Sequence, residues 1–141
     1  QRNKIKMNKI EGGCLCGKIK YYSKLDPLFT TVCHCSHCQK QSGTVFSIII
    51  GVNRKSLHIS GDLKCYEDIG NSGKPVYRKF CGNCGSPIIS DVSAVPDLLF
   101  IKAGTINNIK ALKPTKEIWT DHKLDCIIIN GIKEKYKTDG K

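Results

Sequence analysis

Residues 81–85 read Cys81-Gly82-Asn83-Cys84-Gly85 and follow directly on a candidate strand, Pro75–Phe80. A Cys-x-x-Cys in a tight turn brings two thiolates to one edge of a tetrahedron, the arrangement zinc adopts with sulfur ligands at about 2.3 Å. Gly82 and Gly85 are expected to take the positive φ that turns amides toward the sulfurs. A redox Cys-x-x-Cys would sit in a βαβ setting, and no such pattern surrounds this one. The segment therefore reads as a metal knuckle between strands, and a zinc-bearing β domain follows from it.

Two further cysteine clusters lie upstream. Gly12-Gly13-Cys14-Leu15-Cys16-Gly17 is a Cys-x-Cys bracketed by glycines. In an extended segment residues i and i+2 share a face, so both thiolates could meet one metal while Leu15 packs behind. Cys33-His34-Cys35-Ser36-His37-Cys38 places three sulfurs within six residues. Cys33 and Cys35 share a face by strand alternation, and Cys38 returns to it if a helix starts after Cys35. Such a tripod holds a metal with one position open, which is how catalytic zinc differs from structural zinc. A fourth protein ligand would close it: His37 nearby, or His58, His122, Cys65 or Cys126 from elsewhere. His34 points away under alternation. By counting, the tripod is self-sufficient, and Cys14, Cys16, Cys81 and Cys84 make a second set of four.

The rest of the chain agrees with a mainly β domain of 141 residues. Short β-branched runs alternate with Gly, Asn, Asp and Pro punctuation. Expected strands are Lys18–Tyr22, Phe29–His34, Thr44–Val52, Ser56–Ser60, Leu63–Glu67, Pro75–Phe80, Ile88–Val92, Leu98–Ala103, Glu117–Thr120 and Cys126–Asn130, with one helical turn at Ser36–Gln41. So small a layout draws part of its stability from metal. Residues 1–141 read as a single domain, with Met7, the only methionine, as the expected native start.

Nine cysteines, an odd number with no signal-like segment before them, argue against a secreted disulfide framework. Metal ligation in a reducing, cytoplasmic setting is the expectation. No apolar run approaches the roughly 18 residues of a membrane span. The net charge of +11 lies largely on the ends, at Arg2, Lys4, Lys6 and Lys9 and at Lys133, Lys135, Lys137 and Lys141. That distribution argues against a dedicated nucleic-acid surface and fits attraction of small anionic substrates.

The series Gly12–Gly17, Cys33–Lys40 with Gly43 and Phe46, Arg78–Pro87 and Ala103–Asn107 resembles the glutathione-dependent formaldehyde-activating enzymes, a family that also includes centromere protein V. The resemblance covers about residues 10–120. It implies a β-tent zinc-binding fold of stacked antiparallel sheets. It also implies one structural zinc on Cys14, Cys16, Cys81 and Cys84 and one catalytic zinc on Cys33, Cys35 and Cys38. The implied activity is that of S-(hydroxymethyl)glutathione synthase, a carbon–sulfur lyase run backwards, with glutathione, a small anionic thiol, as partner. Glu117-Ile118-Trp119 stands where the family often has a His before its aromatic motif, and Asp125-Cys126 where a closing tryptophan is common. These departures spare the zinc sites and bear on substrate identity. A zinc bound by three thiolates is a poor Lewis acid suited to holding a fourth sulfur as thiolate, which then attacks an aldehyde. Lys40, Gln39, Ser36 and the helix amides are candidate donors to that anionic site, and Arg78 to substrate carboxylates. The alternative is a non-enzymatic zinc module of the same fold.

Overall fold

The computed structural model describes residues 9–140; Met7 and the first basic residues, Arg2, Lys4 and Lys6, lie outside them, as does Lys141. The chain forms β1 (Ile10–Gly13), β2 (Lys20–Ser23), β3 (Phe29–Cys33), α1 (Ser36–Ser42), β4 (Ser47–Asn53), β5 (Leu57–Ser60) and β6 (Leu63–Ile69). It continues through β7 (Pro75–Cys81), β8 (Pro87–Val92), β9 (Leu98–Lys102), β10 (Lys116–Ile118) and β11 (Glu134–Lys135). Among the described residues no helix is long and apolar enough to cross a membrane.

Two sheets result. The small one has the order β1-β2-β5, and the large one β11-β10-β3-β4-β9-β8-β7-β6. Pairing is antiparallel except at one edge, where β10 lies parallel to both β3 and β11. The expectation of antiparallel sheets is corrected there, because β10 reaches β3 by a crossover from β9 and not by a hairpin.

The expected strands form with shifted ends, apart from Cys126–Asn130. That stretch is turn and irregular chain; the Ile127 N–H bonds the Leu124 carbonyl at 3.0 Å, and Ile128 is largely exposed. Its three isoleucines have strand propensity, but no strand among the described residues pairs with them, and the side of β10 away from β3 is taken by β11. β1 was missed because Gly12 and Gly13 depress strand propensity. Gly12 is nonetheless required. A Cβ there would meet the Tyr21 hydroxyl and the Thr105 carbonyl, where Tyr21 and Thr105 hydrogen-bond at 2.7 Å and tie the small sheet to the turn after β9.

Register assigns the two faces of the large sheet. Partnered residues across an antiparallel ladder share a face, and alternate residues along a strand do not. One row joins Ile89, Ile101 and Ile50. With Val52, Leu99 and Ala103 it packs against Ile10, Ile19 and Tyr21 of the small-sheet side as the core. Ile19, Ile50, Ile88, Ile89 and Ile101 are each at most 2% exposed, and burying such a side chain stabilises by about 1.5–3 kcal/mol. The opposite face carries Arg78, Ser90 and Phe100 in one row, Lys102, Ile49 and Thr31 in the next, then Ser47 and Cys33. That second face has no covering sheet, and it holds the tripod.

Candidate metal centres

The four-cysteine group lies where the two sheets meet. Cys81 is 2% exposed, at the end of β7, and Cys14, Cys16 and Cys84 surround it. All four sulfurs lie within 4.8 Å of one another. The Cys14–Cys16 and Cys16–Cys81 separations are 3.5 and 3.8 Å. Sulfurs placed tetrahedrally around zinc are about 3.8 Å apart, so these residues fit the metal without rearrangement. The expected extended geometry of the Cys-x-Cys is corrected, because Cys14–Gly17 is a tight turn closed by a Gly17 N–H bond to the Cys14 carbonyl at 3.2 Å. Leu15 does not pack behind; it is 89% exposed at the tip of that turn.

Backbone donors converge on these sulfurs, from Ile19 N to Cys14 at 3.2 Å and from Asn83 N to Cys81 at 3.4 Å. The Ser86 hydroxyl sits 3.2 Å from the Cys84 sulfur and accepts from Leu15 N at 3.1 Å, linking the two knuckles. Ser86 holds the Cys84 thiol down at about 5, helped by backbone amides. Gly85 takes the expected positive φ of 81°, whereas Gly82 does not. A Cβ at Gly82 would stand 3.0 Å from the stem of Lys64, an exposed side chain that would have to give way.

The tripod is built at the end of β3. Cys33 closes the strand, Cys35 adopts an extended conformation as the N-cap of α1, and Cys38 returns on the first turn. The Cys35 sulfur accepts from Cys38 N at 3.2 Å, which replaces the usual oxygen cap. Gly43, at φ 74°, ends the helix. The three sulfurs lie within 4.8 Å of one another, and among the described residues no fourth His, Cys, Asp or Glu joins them. Hydrogen bonding to Cys35 and Cys38, and then burial, push the Cys33 thiol up. Cys38 is driven down, first by hydrogen bonds from Cys33 and Cys35 and then by the charges of Lys102 and Arg78.

None of the histidines or spare cysteines proposed from sequence closes the tripod. His34 is fully buried and hydrogen-bonds Glu117 at 2.7 Å, with its ring against Phe46. His37 turns to Asp68 at 2.7 Å, His58 stacks on Tyr22 in the small sheet, and His122 packs against Trp119. Cys65 and Cys126 are exposed. Through its bond to His34, Glu117 of β10 anchors the chain between two tripod cysteines.

The candidate donors are revised too. The Gln39 amide is spent on the carbonyls of His34, Val45 and His122 at 3.0–3.2 Å, so it fastens the loop. Lys40 and Ser36 are exposed. Arg78 is 7% exposed and bonds Asp68 through Nε at 2.9 Å. Burial opposes the Arg78 charge, but the Asp68 bond and the nearby thiols raise its pKa. Lys102 went unnoticed in the sequence, where it looks like one more lysine of a basic chain. It is 5% exposed, on the tripod face, with Nζ 3.2 Å from Ser47 Oγ. Burial lowers its pKa and the thiolates of Cys38, Cys33 and Cys35 oppose that shift. Only its place in the register reveals it. A hollow of about 520 Å³, lined by Tyr21, Tyr22, His58 and Lys20 among others, lies on the small sheet away from the tripod.

A crystal structure of a Rhodobacter sphaeroides protein has a similar fold, at 19% sequence identity and a TM-score of 0.55, over 70% of this chain and 88% of that one. No curated protein shows significant sequence similarity to the chain. The family model described as "Glutathione-dependent formaldehyde-activating enzyme" matches residues 9–122, which takes in all seven clustered cysteines together with Arg78, Lys102 and Glu117. With that match over most of its length, the chain belongs to the glutathione-dependent formaldehyde-activating enzyme family.

Proposed function

We propose that the chain is an enzyme that adds a thiol, glutathione in the first instance, to formaldehyde or a similarly small aldehyde, giving the S-hydroxymethyl adduct. The observation that carries this reading is the tripod: three mutually close thiols with no fourth ligand among the described residues, both neighbouring histidines being turned to other partners. In the same reading Cys33, Cys35 and Cys38 are the catalytic metal set, and Cys14, Cys16, Cys81 and Cys84 are the structural one. The second assignment is supported by position, because those four cysteines bridge two sheets while the tripod spans one turn of chain.

Zinc at the tripod would supply a single thing, the ionisation of an incoming thiol at neutral pH. This chain's residues do the rest. Cys33, Cys35 and Cys38 fix the direction from which the thiol enters, held by the Gln39 amide and the His34–Glu117 bond. Arg78 and Lys102, both buried beside three thiols, keep the anionic face compensated, so a further negative sulfur is tolerated there. Phe29 and Phe100, tilted together at 5.9 Å, form an apolar wall on the same face. The net positive charge of the chain favours an anionic thiol over a neutral one.

Calorimetry of glutathione binding to zinc-loaded protein in two buffers of different ionisation enthalpy tests this. Proton release on binding, together with adduct exchange faster than the uncatalysed reaction, is the expected result. Loaded protein that neither binds glutathione nor speeds the exchange would favour a non-enzymatic zinc module.

A further inference from the structure

Lys102 is a buried cation whose ammonium has few hydrogen-bond partners and whose nearby negative charge is that of the tripod sulfurs. An ammonium carries three N–H donors, and among the described residues the one hydrogen-bond partner of Nζ is the Ser47 hydroxyl at 3.2 Å. Among the described residues no carboxylate lies within ion-pair distance of it, although the side chain is almost wholly buried. Placing an ammonium in such a position is costly unless something else meets its charge. Arg78, the other buried cation on this face, is differently placed, with Nε committed to Asp68 and NH1 3.5 Å from Ser90.

Register fixes where Lys102 stands. It is opposite Ile49, which is opposite Thr31, and two residues along these strands lie Ser47 and Cys33. Lys102 and the tripod therefore share one face of the large sheet, the one opposite the apolar core. The Thr31 hydroxyl, buried on that face two residues before Cys33, has no hydrogen-bond partner. A cation with donors to spare and an unpartnered hydroxyl stand beside three clustered sulfurs. That grouping matches a small polar oxygen whose charge changes during reaction.

We propose that Lys102 is the oxyanion donor of the addition, giving its proton to the aldehyde oxygen as the carbon–sulfur bond forms. This rests on the thiol–aldehyde reading above. In the step, the thiolate lone pair forms the S–C bond and the carbonyl π pair moves onto oxygen. That oxygen takes a proton from the Lys102 ammonium, which becomes the neutral amine. The proton shed by the thiol on ionising returns to the amine through solvent water. Thiol and aldehyde thus give the hydroxymethyl thioether with nothing left over. Ser47 aims the ammonium and is a positioning residue.

Lys102→Met keeps the length of the stem and removes the donors; Lys102→Arg restores donors but holds its proton. Both are checked for folding and zinc content, and glutathione binding is measured by calorimetry. The expected result is glutathione affinity within about twofold of wild type in Lys102→Met and kcat lower by about 10²–10³-fold, the size of losing one such donor. Lys102→Arg should recover part of the loss and flatten the alkaline limb of the rate profile. A second readout needs no rate. With ¹³C-formaldehyde and saturating glutathione, the equilibrium share of bound adduct should fall in Lys102→Met. Unchanged kcat and adduct share in a folded, zinc-loaded Lys102→Met would overturn the proposal, and so would a loss confined to glutathione affinity. Wild-type protein that binds glutathione without exchange, or does neither, refutes the thiol–aldehyde reading itself, a result distinct from these.

Discussion

Cys81→Ser and Cys38→Ser each remove one sulfur from one cluster, yet they should differ sharply in stability. Cys81 belongs to a group that joins the β1–β2 turn to the β7–β8 turn across 65 residues from Cys16. Cross-linking a loop of about 70 residues restricts the unfolded chain by about 4 kcal/mol in the chain-entropy account. The tripod closes a loop of six residues, for which the same relation gives about 2 kcal/mol. Cys81 also belongs to the apolar core, whereas Cys33 and Cys38, although buried, lie outside that core. For a domain whose whole stability is about 5–15 kcal/mol, the first loss approaches unfolding and the second does not. In melting of zinc-loaded protein, Cys81→Ser should lower Tm by at least roughly 10–20 °C or prevent folding, and Cys38→Ser by less than roughly 10 °C. Cys38→Ser should also lose one equivalent of zinc while its circular dichroism is unchanged. Equal destabilisation by the two substitutions would refute the assignment of one cluster to structure and the other to chemistry.

Chelator added to the loaded protein should remove the tripod metal fast and the four-cysteine metal slowly, since four thiolates outlast three; a single release phase on a colorimetric chelator would contradict this. Ile101→Ala, at a side chain with no exposure, should cost about 2–5 kcal/mol in urea unfolding, and a loss below about 1 kcal/mol would place the core elsewhere. Burial raises Tyr21 to about 12 against its bond to Thr105. A phenol kept neutral by folding contributes fully below its unfolded value near 10 and loses that contribution as pH rises through 12. Ultraviolet titration of folded protein should therefore show a phenolate step near 12 that Tyr21→Phe removes. For Asp68 burial works against ionisation, but His37 and Arg78 hold the pKa below the ordinary carboxylate value. The stability this adds is present above that value and lost as pH falls, so the Tm gap between wild type and Asp68→Asn should close in acid. A gap that is constant with pH would remove the ionic role of Asp68.

The sequence by itself determined the chemistry that is local in the chain. Three thiols within six residues form a tripod whatever surrounds them, because a strand end followed by one helical turn returns Cys38 to the face of Cys33. The turn at residues 81–85 brings its two thiols together in the same way, and the order of clusters identified the family. Most strands were legible too, since a β-branched run such as Ile48–Ile50 needs no context. Non-local facts were not legible. Cys126–Asn130 has strand propensity, but a strand exists only where a partner pairs with it, and beside β10 that place is held by β11. Leu15 looks like a packing residue until the turn exposes it. His37 was a plausible ligand until Asp68, 31 residues away, claimed it, and alternation turned His34 from the cysteines without naming its partner, Glu117, 83 residues away. Lys102 is one lysine among many until the β4–β9 register sets it on the face of the cysteines. Tertiary structure decided these because pairing register and burial arise between segments distant in the chain, and a buried cation is defined by what it lacks nearby.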